Sequence, residues 1–280
     1  MASVRRPVPE QLLRILVIGA HPDDCEVKCG GTAAKWSAAG HVVRFVSATD
    51  GQTGHHQQAG AVLAQRRMAE AKSVAEVIGI ESQVLAIPNG QIEPSLAYRA
   101  VFIRLIREFM PDLVLTHRPN DYHPDHRYTS QLVQDAAYTV TVPNNVAAVP
   151  ALRTNPVIAY LADDFRKPCP LEPDVIIAID DVIDTKVEMM HRHASQMYEW
   201  IPWHQGVLDQ VPADEDGRRK WLFGQRTPPD AQRADRYRDK LIDRYGEQRG
   251  RSIRFAEMFE ICEYGAQPDD AMLARLFGGM

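Results

Sequence analysis

Hydrophobic and polar positions follow a strand-then-helix rhythm along the first half of the chain. Ile15–Ala20 is an unbroken apolar run ending in a polar loop, the pattern of a strand covered on both faces. Gly30-Gly31-Thr32 then opens a helix to Ala39, stopped by Gly40. Val42–Ala48 reads as a second strand and Ala59–Ile78 as a long helix ended by Gly79. Val84–Ile87 reads as a short third strand. Ser95 caps a helix running to Met110, with Pro111 as its stop. Leu113–Thr116 is the fourth strand, and Pro124 stands in the first turn of a helix reaching Val140.

Beyond Val140 the pattern loosens. Val157–Leu161 and Val175–Ile179 read as two further strands around a Pro-rich loop, and Asp181–Tyr198 as a helix. Residues 202–232 hold Pro212, Gly217, Pro228 and Pro229 without a steady period, so a long surface excursion is expected. A charged helix, Ala231–Tyr245, and an apolar segment, Phe255–Cys262, close the pattern. Strands separated by helices of this length imply right-handed crossovers. The expected fold is α/β: a Rossmann-like, mostly parallel sheet with helices on both faces. No linker divides the chain, so residues 201–280 are expected to form a C-terminal elaboration packed on the domain of residues 1–200.

Composition narrows the class. Of 280 residues, 45% are hydrophobic and 25% charged, which excludes a disordered or fibrous chain. A net charge of −5 argues against a nucleic-acid partner. The apolar run from Leu12 is interrupted by Arg14 and falls short of the roughly 20 residues of a membrane span. Arg5 and Arg6 lead into Pro-Val-Pro-Glu, unlike the apolar centre of a secretory signal. A soluble, cytoplasmic protein is expected. Four cysteines are too few and scattered for a disulfide scaffold, and Cys25 and Cys29 read as packing residues.

Two polar clusters carry the chemistry. His21-Pro22-Asp23-Asp24-Cys25-Glu26 follows the first strand, and Asp121-Tyr122-His123-Pro124-Asp125-His126 follows the fourth. In an open sheet of order 3-2-1-4-5 those strands are neighbours where the order reverses, and ligands bind there. The two clusters would face each other across one crevice. His21, Asp24 and His126 could supply N, O and N ligands to a divalent ion, leaving positions open for substrate, as in catalytic zinc sites. Asp23 would stand beside the ion as an unligated carboxylate, placed to take a proton from water. His55-His56 and Trp200-Ile201-Pro202-Trp203 read more simply as an exposed loop pair and as packing aromatics.

At these residues the chain resembles the PIG-L/LmbE-like zinc-dependent N-deacetylases. The resemblance rests on His21-Pro22-Asp23-Asp24 with Gly30-Gly31-Thr32, and on Asp121-x-His123-Pro124-Asp125-His126. It continues through Arg67-x-x-Glu70, Lys186 and His193-x-Ser195-Gln196, covering about the first 200 residues. It implies His21, Asp24 and His126 as metal ligands, Asp23 as general base, and His123 as the group meeting the oxyanion or the departing amine. It implies Asp125 as the aspartate that orients His123, and Arg67 and His193 as substrate-binding residues. Zinc is the implied ion, with Fe2+ the alternative, and the implied substrate is an N-acetylated amino sugar or its conjugate. Homo-oligomers, as trimers or hexamers, are common in the family. The sequence departs from many members where Cys25 follows the two aspartates, with Glu26 one place later. The competing readings are an amidase for another amide conjugate, a non-haem iron redox enzyme, and a non-catalytic sugar-binding module.

Overall fold

Residues 12–278 are described by the computed structural model, so the Arg5-Arg6 segment lies outside them. The chain begins its sheet with β1 (Arg14–Gly19), whose side chains alternate between two buried faces. Ile15 and Val17 join one core with Trp36, Leu115 and Phe259. Leu16 and Ile18 join the other with Phe102, Phe109 and Leu132. An apolar run without polar interruption is what a strand needs when both its faces are covered.

The remaining elements of the first half follow in order: α1 (Asp24–Ala38), β2 (Val42–Ser47), α2 (Gly60–Ile78), β3 (Glu81–Val84), α3 (Leu96–Phe109), β4 (Leu113–Thr116) and α4 (Pro124–Thr139). Then come β5 (Val157–Leu161), β6 (Val175–Ala178), α5 (Ile183–His191) and a π-helical turn at Ser195–Trp200. The second half closes with α6 (Ile201–His204), α7 (Glu215–Arg226), α8 (Pro228–Arg236), α9 (Arg238–Tyr245), α10 (Glu247–Ser252), β7 (Ala256–Ile261) and α11 (Asp270–Phe277). The sheet order is β3-β2-β1-β4-β5-β7-β6. The first five strands are parallel, and β7 runs antiparallel to both β5 and β6. No helix among the described residues is long and apolar enough to cross a membrane.

Four expectations are corrected. Residues 202–232 hold helices rather than an irregular excursion, because three of their four prolines stand in first turns: Pro202 in α6, and Pro228 and Pro229 in α8. Asp214 caps α7 by accepting from Gly217 N, and Leu222 of that helix is fully buried. The helix expected over Asp181–Tyr198 gives way to a π turn after α5. β3 ends at Val84, where an apolar run was expected to begin, because an edge strand is placed by its pairing with β2, Arg44 to Glu81 through Ser47 to Val84. Finally, α1 starts at Asp24 rather than Gly30, and it is broken at Cys29.

Candidate metal centre and catalytic site

β1 and β4 pair directly, so the loops at their carboxyl ends lie side by side. The β1–β2 ladder extends into the first loop: Thr49 donates through N and Oγ1 to Ala20 O, each at 2.8 Å. Beyond Ala20 the chain turns sharply, with Asp23 N and Asp24 N both donating to His21 O. His21 N donates in turn to Asp24 Oδ2 at 2.7 Å. Both side chains are thereby brought to the mouth of the sheet.

Three groups of potential ligand atoms lie there: His21, Asp24 and His126; His21, His123 and Asp125; and His117, Asp121 and His126. The first is the best formed. His21 Nδ1 lies 3.3 Å from His126 Nε2 and 3.4 Å from Asp24 Oδ2, and His126 Nε2 is 3.5 Å from Asp24 Oδ1. The far nitrogen of each imidazole is held by a carboxylate: His21 Nε2 by Asp125 Oδ2 at 3.2 Å, and His126 Nδ1 by Asp121 Oδ2 at 2.9 Å. Carboxylates in those places fix ring orientation and leave the inner nitrogens free to bind a cation. The donor set therefore fits a divalent ion. Burial disfavours a charged His21, but its hydrogen bonds to Asp125 and Asp24 push it up to about 10. Burial also works against Asp24, yet the neighbouring His126 holds its carboxyl well below the ordinary range.

Asp23 stands next to this group without joining it. Burial raises its carboxyl above the usual range, opposed by Arg67 and reinforced by Asp24. Arg67 lies 3.4 Å from Asp23 Oδ2 and also donates to Pro22 O. At 2% exposure it is buried behind Asp23. Gly51 and Gly54 cover its guanidinium so closely that a Cβ there would sit 3.4–3.5 Å from it. His193 is likewise fully buried, its Nε2 lying 3.5 Å from Glu26 Oε2. Both residues expected to bind substrate thus lie within the protein, facing the Asp23 and Glu26 carboxylates. The reason is that α2 and the segment after α5 close over the first turn of α1. Ser195 donates twice to Glu70, and Gln196 donates to Gly54 O.

His123 is exposed and caps α4, its Nδ1 accepting from Asp125 N at 3.2 Å. Its ring centroid is 4.9 Å from that of His21 and 4.6 Å from that of His126. Partial desolvation of its ring at the site and the neighbouring His126 and His21 lower its proton affinity. With Nδ1 accepting, the hydrogen-bond network assigns the proton of the neutral ring to Nε2, which has no partner among the described residues. Asp125 meets His123 through its backbone N–H, while its carboxylate points elsewhere. The Asp125 carboxylate accepts from His21 and from Gly90 N at 2.6 Å, because the first turn of α4 directs it inward. Tyr122 turns away and packs against Phe165.

One buried residue was missed. His117, directly after β4, stacks under His126 with centroids 4.0 Å apart and planes 8° from parallel. Its Nε2 accepts from Ala20 N at 2.9 Å, tying the two loops together. Burial and the adjacent His126 push it down to about 4, so it is neutral. Its place after β4 matches that of His21 after β1, and that equivalence was the available signal.

The sequence profile of the PIG-L family, described as GlcNAc-PI de-N-acetylase, matches residues 16–137. A diacetylchitobiose deacetylase of Thermococcus kodakarensis is 29% identical over 202 residues, spanning 68% of this chain and 73% of that protein. A probable N-acetyl-α-D-glucosaminyl L-malate deacetylase of Bacillus cereus is 30% identical over 193 residues, spanning 65% of this chain and 83% of that protein. A 4-oxalmesaconate hydratase of Pseudomonas putida is 25% identical over 196 residues, 66% of this chain and 74% of its own. Among solved structures, the N,N'-diacetylchitobiose deacetylase of Pyrococcus horikoshii superposes with a TM-score of 0.67 at 25% identity, covering 89% of this chain and 83% of that one. With one relative 30% identical and covered over 83% of its length, this chain belongs to the PIG-L family of N-deacetylases.

Proposed function

We propose that this protein is a metal-dependent hydrolase that removes an N-acetyl group from an amino sugar or its conjugate. The observation that carries the reading is the pairing of two unlike carboxylates in one turn. Asp24 faces two imidazole nitrogens, while Asp23 stands alongside and is held by Arg67. In this reading His21, Asp24 and His126 hold the ion, zinc being the proposed identity and Fe2+ the alternative. Such an ion, when bound, supplies Lewis acidity toward an amide carbonyl and makes hydroxide accessible near neutral pH.

The chain's own residues then have separate tasks. Asp23 accepts the proton of the attacking water and returns it to the departing nitrogen, work favoured by a carboxyl raised by burial. His123 presents Nε2–H to the charge that develops on the carbonyl oxygen, and its neutral ring suits a donor. Asp125, Asp121 and His117 hold the ring planes of His21 and His126. Arg67 orients Asp23, and His193 supports Glu26 one turn further along α1.

The test is acetate release from N-acetylglucosamine, N,N'-diacetylchitobiose and acidic N-acetylglucosaminides by protein loaded with zinc or iron. Absence of acetate from every substrate, with metal bound, overturns the reading. The hydratase relative supplies the second reading, addition of water to the double bond of an unsaturated tricarboxylate. Loss of enoate absorbance without acetate release would favour it.

A further inference from the structure

The helix that carries Asp24 and Glu26 is not one rod. At Cys29 the backbone takes φ −144° and ψ 21°, which kinks α1. Because the two pieces meet at this bend, the direction of the short first piece is set by how the second, from Gly30, is anchored. That second piece begins with backbone N–H groups that have no partners inside the helix.

A single carboxylate from the far end of the chain takes them. Glu257 of β7 accepts from Gly31 N at 2.9 Å through Oε1, and from Thr32 N at 2.7 Å and Thr32 Oγ1 at 2.6 Å through Oε2. Lys186 of α5 neutralises it from 2.8 Å and is itself held by Asp230 at 2.6 Å. Glu257, Lys186 and Asp230 are each at most 2% exposed, so the array works in a low dielectric where a lost partner is costly. Gly31 leaves no room for a side chain: a Cβ there would lie 2.7 Å from Ile179 Cγ2 and 2.9 Å from its Cβ, while one on Gly30 would meet only the flexible end of Met189, at 3.0 Å.

We propose that Glu257 is a positioning residue for Asp23 and Asp24, anchoring the second piece of α1 so that its break delivers the first piece to the site. The proposal rests on the deacetylase reading for its activity readout and on the metal centre for an independent one. Glu257→Gln is the decisive variant. A side-chain amide has one oxygen, so its NH2 must face either the Gly31 N–H and Lys186 or the Thr32 donors, donor against donor. Asp230→Asn is the control, since Asp230 holds the same lysine and makes no bond to α1.

The experiment measures metal affinity by chelator competition, kcat and KM at saturating metal, and melting temperature. Glu257→Gln is expected to lower metal affinity and kcat by about 10–100-fold with KM little changed. Asp230→Asn is expected to lower melting temperature while keeping both quantities close to wild type. Should Glu257→Gln fail to fold, Thr32→Val removes only the Oγ1 bond and must lower the same two quantities by a smaller factor. Equal metal affinity and kcat in Glu257→Gln and wild type, equal losses in Glu257→Gln and Asp230→Asn, or a silent Thr32→Val would overturn the proposal. If wild type releases no acetate at all, the deacetylase reading falls and the metal titration alone decides the role of Glu257.

Discussion

Replacing Asp121 by Asn tests whether the support of His126 sets metal affinity. Asp121 is almost fully buried and accepts from two fixed donors, His123 N at 2.8 Å and His126 Nδ1 at 2.9 Å. An Asn must keep its single oxygen on His123 N, because a backbone N–H cannot reverse. Its NH2 then meets His126 Nδ1 and favours the ring tautomer whose proton sits on Nε2. That nitrogen faces His21 and Asp24, so the substitution places a proton where a cation would bind. A hydrogen bond to a charged group contributes about 1.5–3 kcal/mol, and losses of metal affinity from such support residues run about 10–100-fold. Chelator competition with zinc should show a weakening of that size, while circular dichroism stays native. Activity should return when metal is supplied in excess. Unchanged affinity would refute the reasoning. Intact affinity with collapsed kcat would do so in another way, making Asp121 a proton donor rather than a support.

Further outcomes follow from the same geometry. Asp24→Ala should lose the metal, whereas Asp23→Ala should retain it and lose about 10²–10⁴ in turnover for want of a general base; metal analysis with kcat on each variant separates them. His123→Ala should keep metal and KM and lose about 10²–10³ in kcat, as when one oxyanion donor is removed; a defect appearing mainly in KM would assign it to substrate binding. Arg67→Met should act on kcat rather than on KM, because Arg67 touches Asp23 and not the open cleft; steady-state kinetics across two substrates would reveal a binding role if KM shifted instead. Exhaustive chelation should abolish acetate release, and zinc or Fe2+ should restore it; full activity in metal-free protein would contradict the proposed centre.

The parallel half of the sheet was readable because strands covered on both faces leave unbroken apolar runs, as in β1. The two histidine-aspartate clusters were readable for a related reason. Each lies within a few residues of a strand end, so knowing the strand order was enough to bring them together. What escaped depends on directions that spacing does not encode. Asp125 stands two residues from His123, yet the first turn of α4 aims its carboxylate at His21 and Gly90 N. Arg67 and His193 carry polar signatures of binding residues, but the elements around them close over both. Prolines at 202 and 228 suggested breaks because a proline signals both a loop and the first turn of a helix. β7 offered an apolar segment without any mark of its direction or its neighbours.

The place of β7 has a consequence for synthesis. Among the described residues β6 pairs with β7 alone, and β7 is made after every other strand of the sheet. Until then β5 and β6 wait with open edges, a state prone to wrong pairing. Glu257 arrives on that same strand, 226 residues after Gly31 and 225 after Thr32, whose N–H groups it accepts. The nascent chain can therefore gather His21 and His126 early, yet the anchor of α1 comes only with the closing strand. Assembly of the centre is thus coupled to synthesis of β7, and a chain cut short before that strand would have its chemical groups without the frame that aims them.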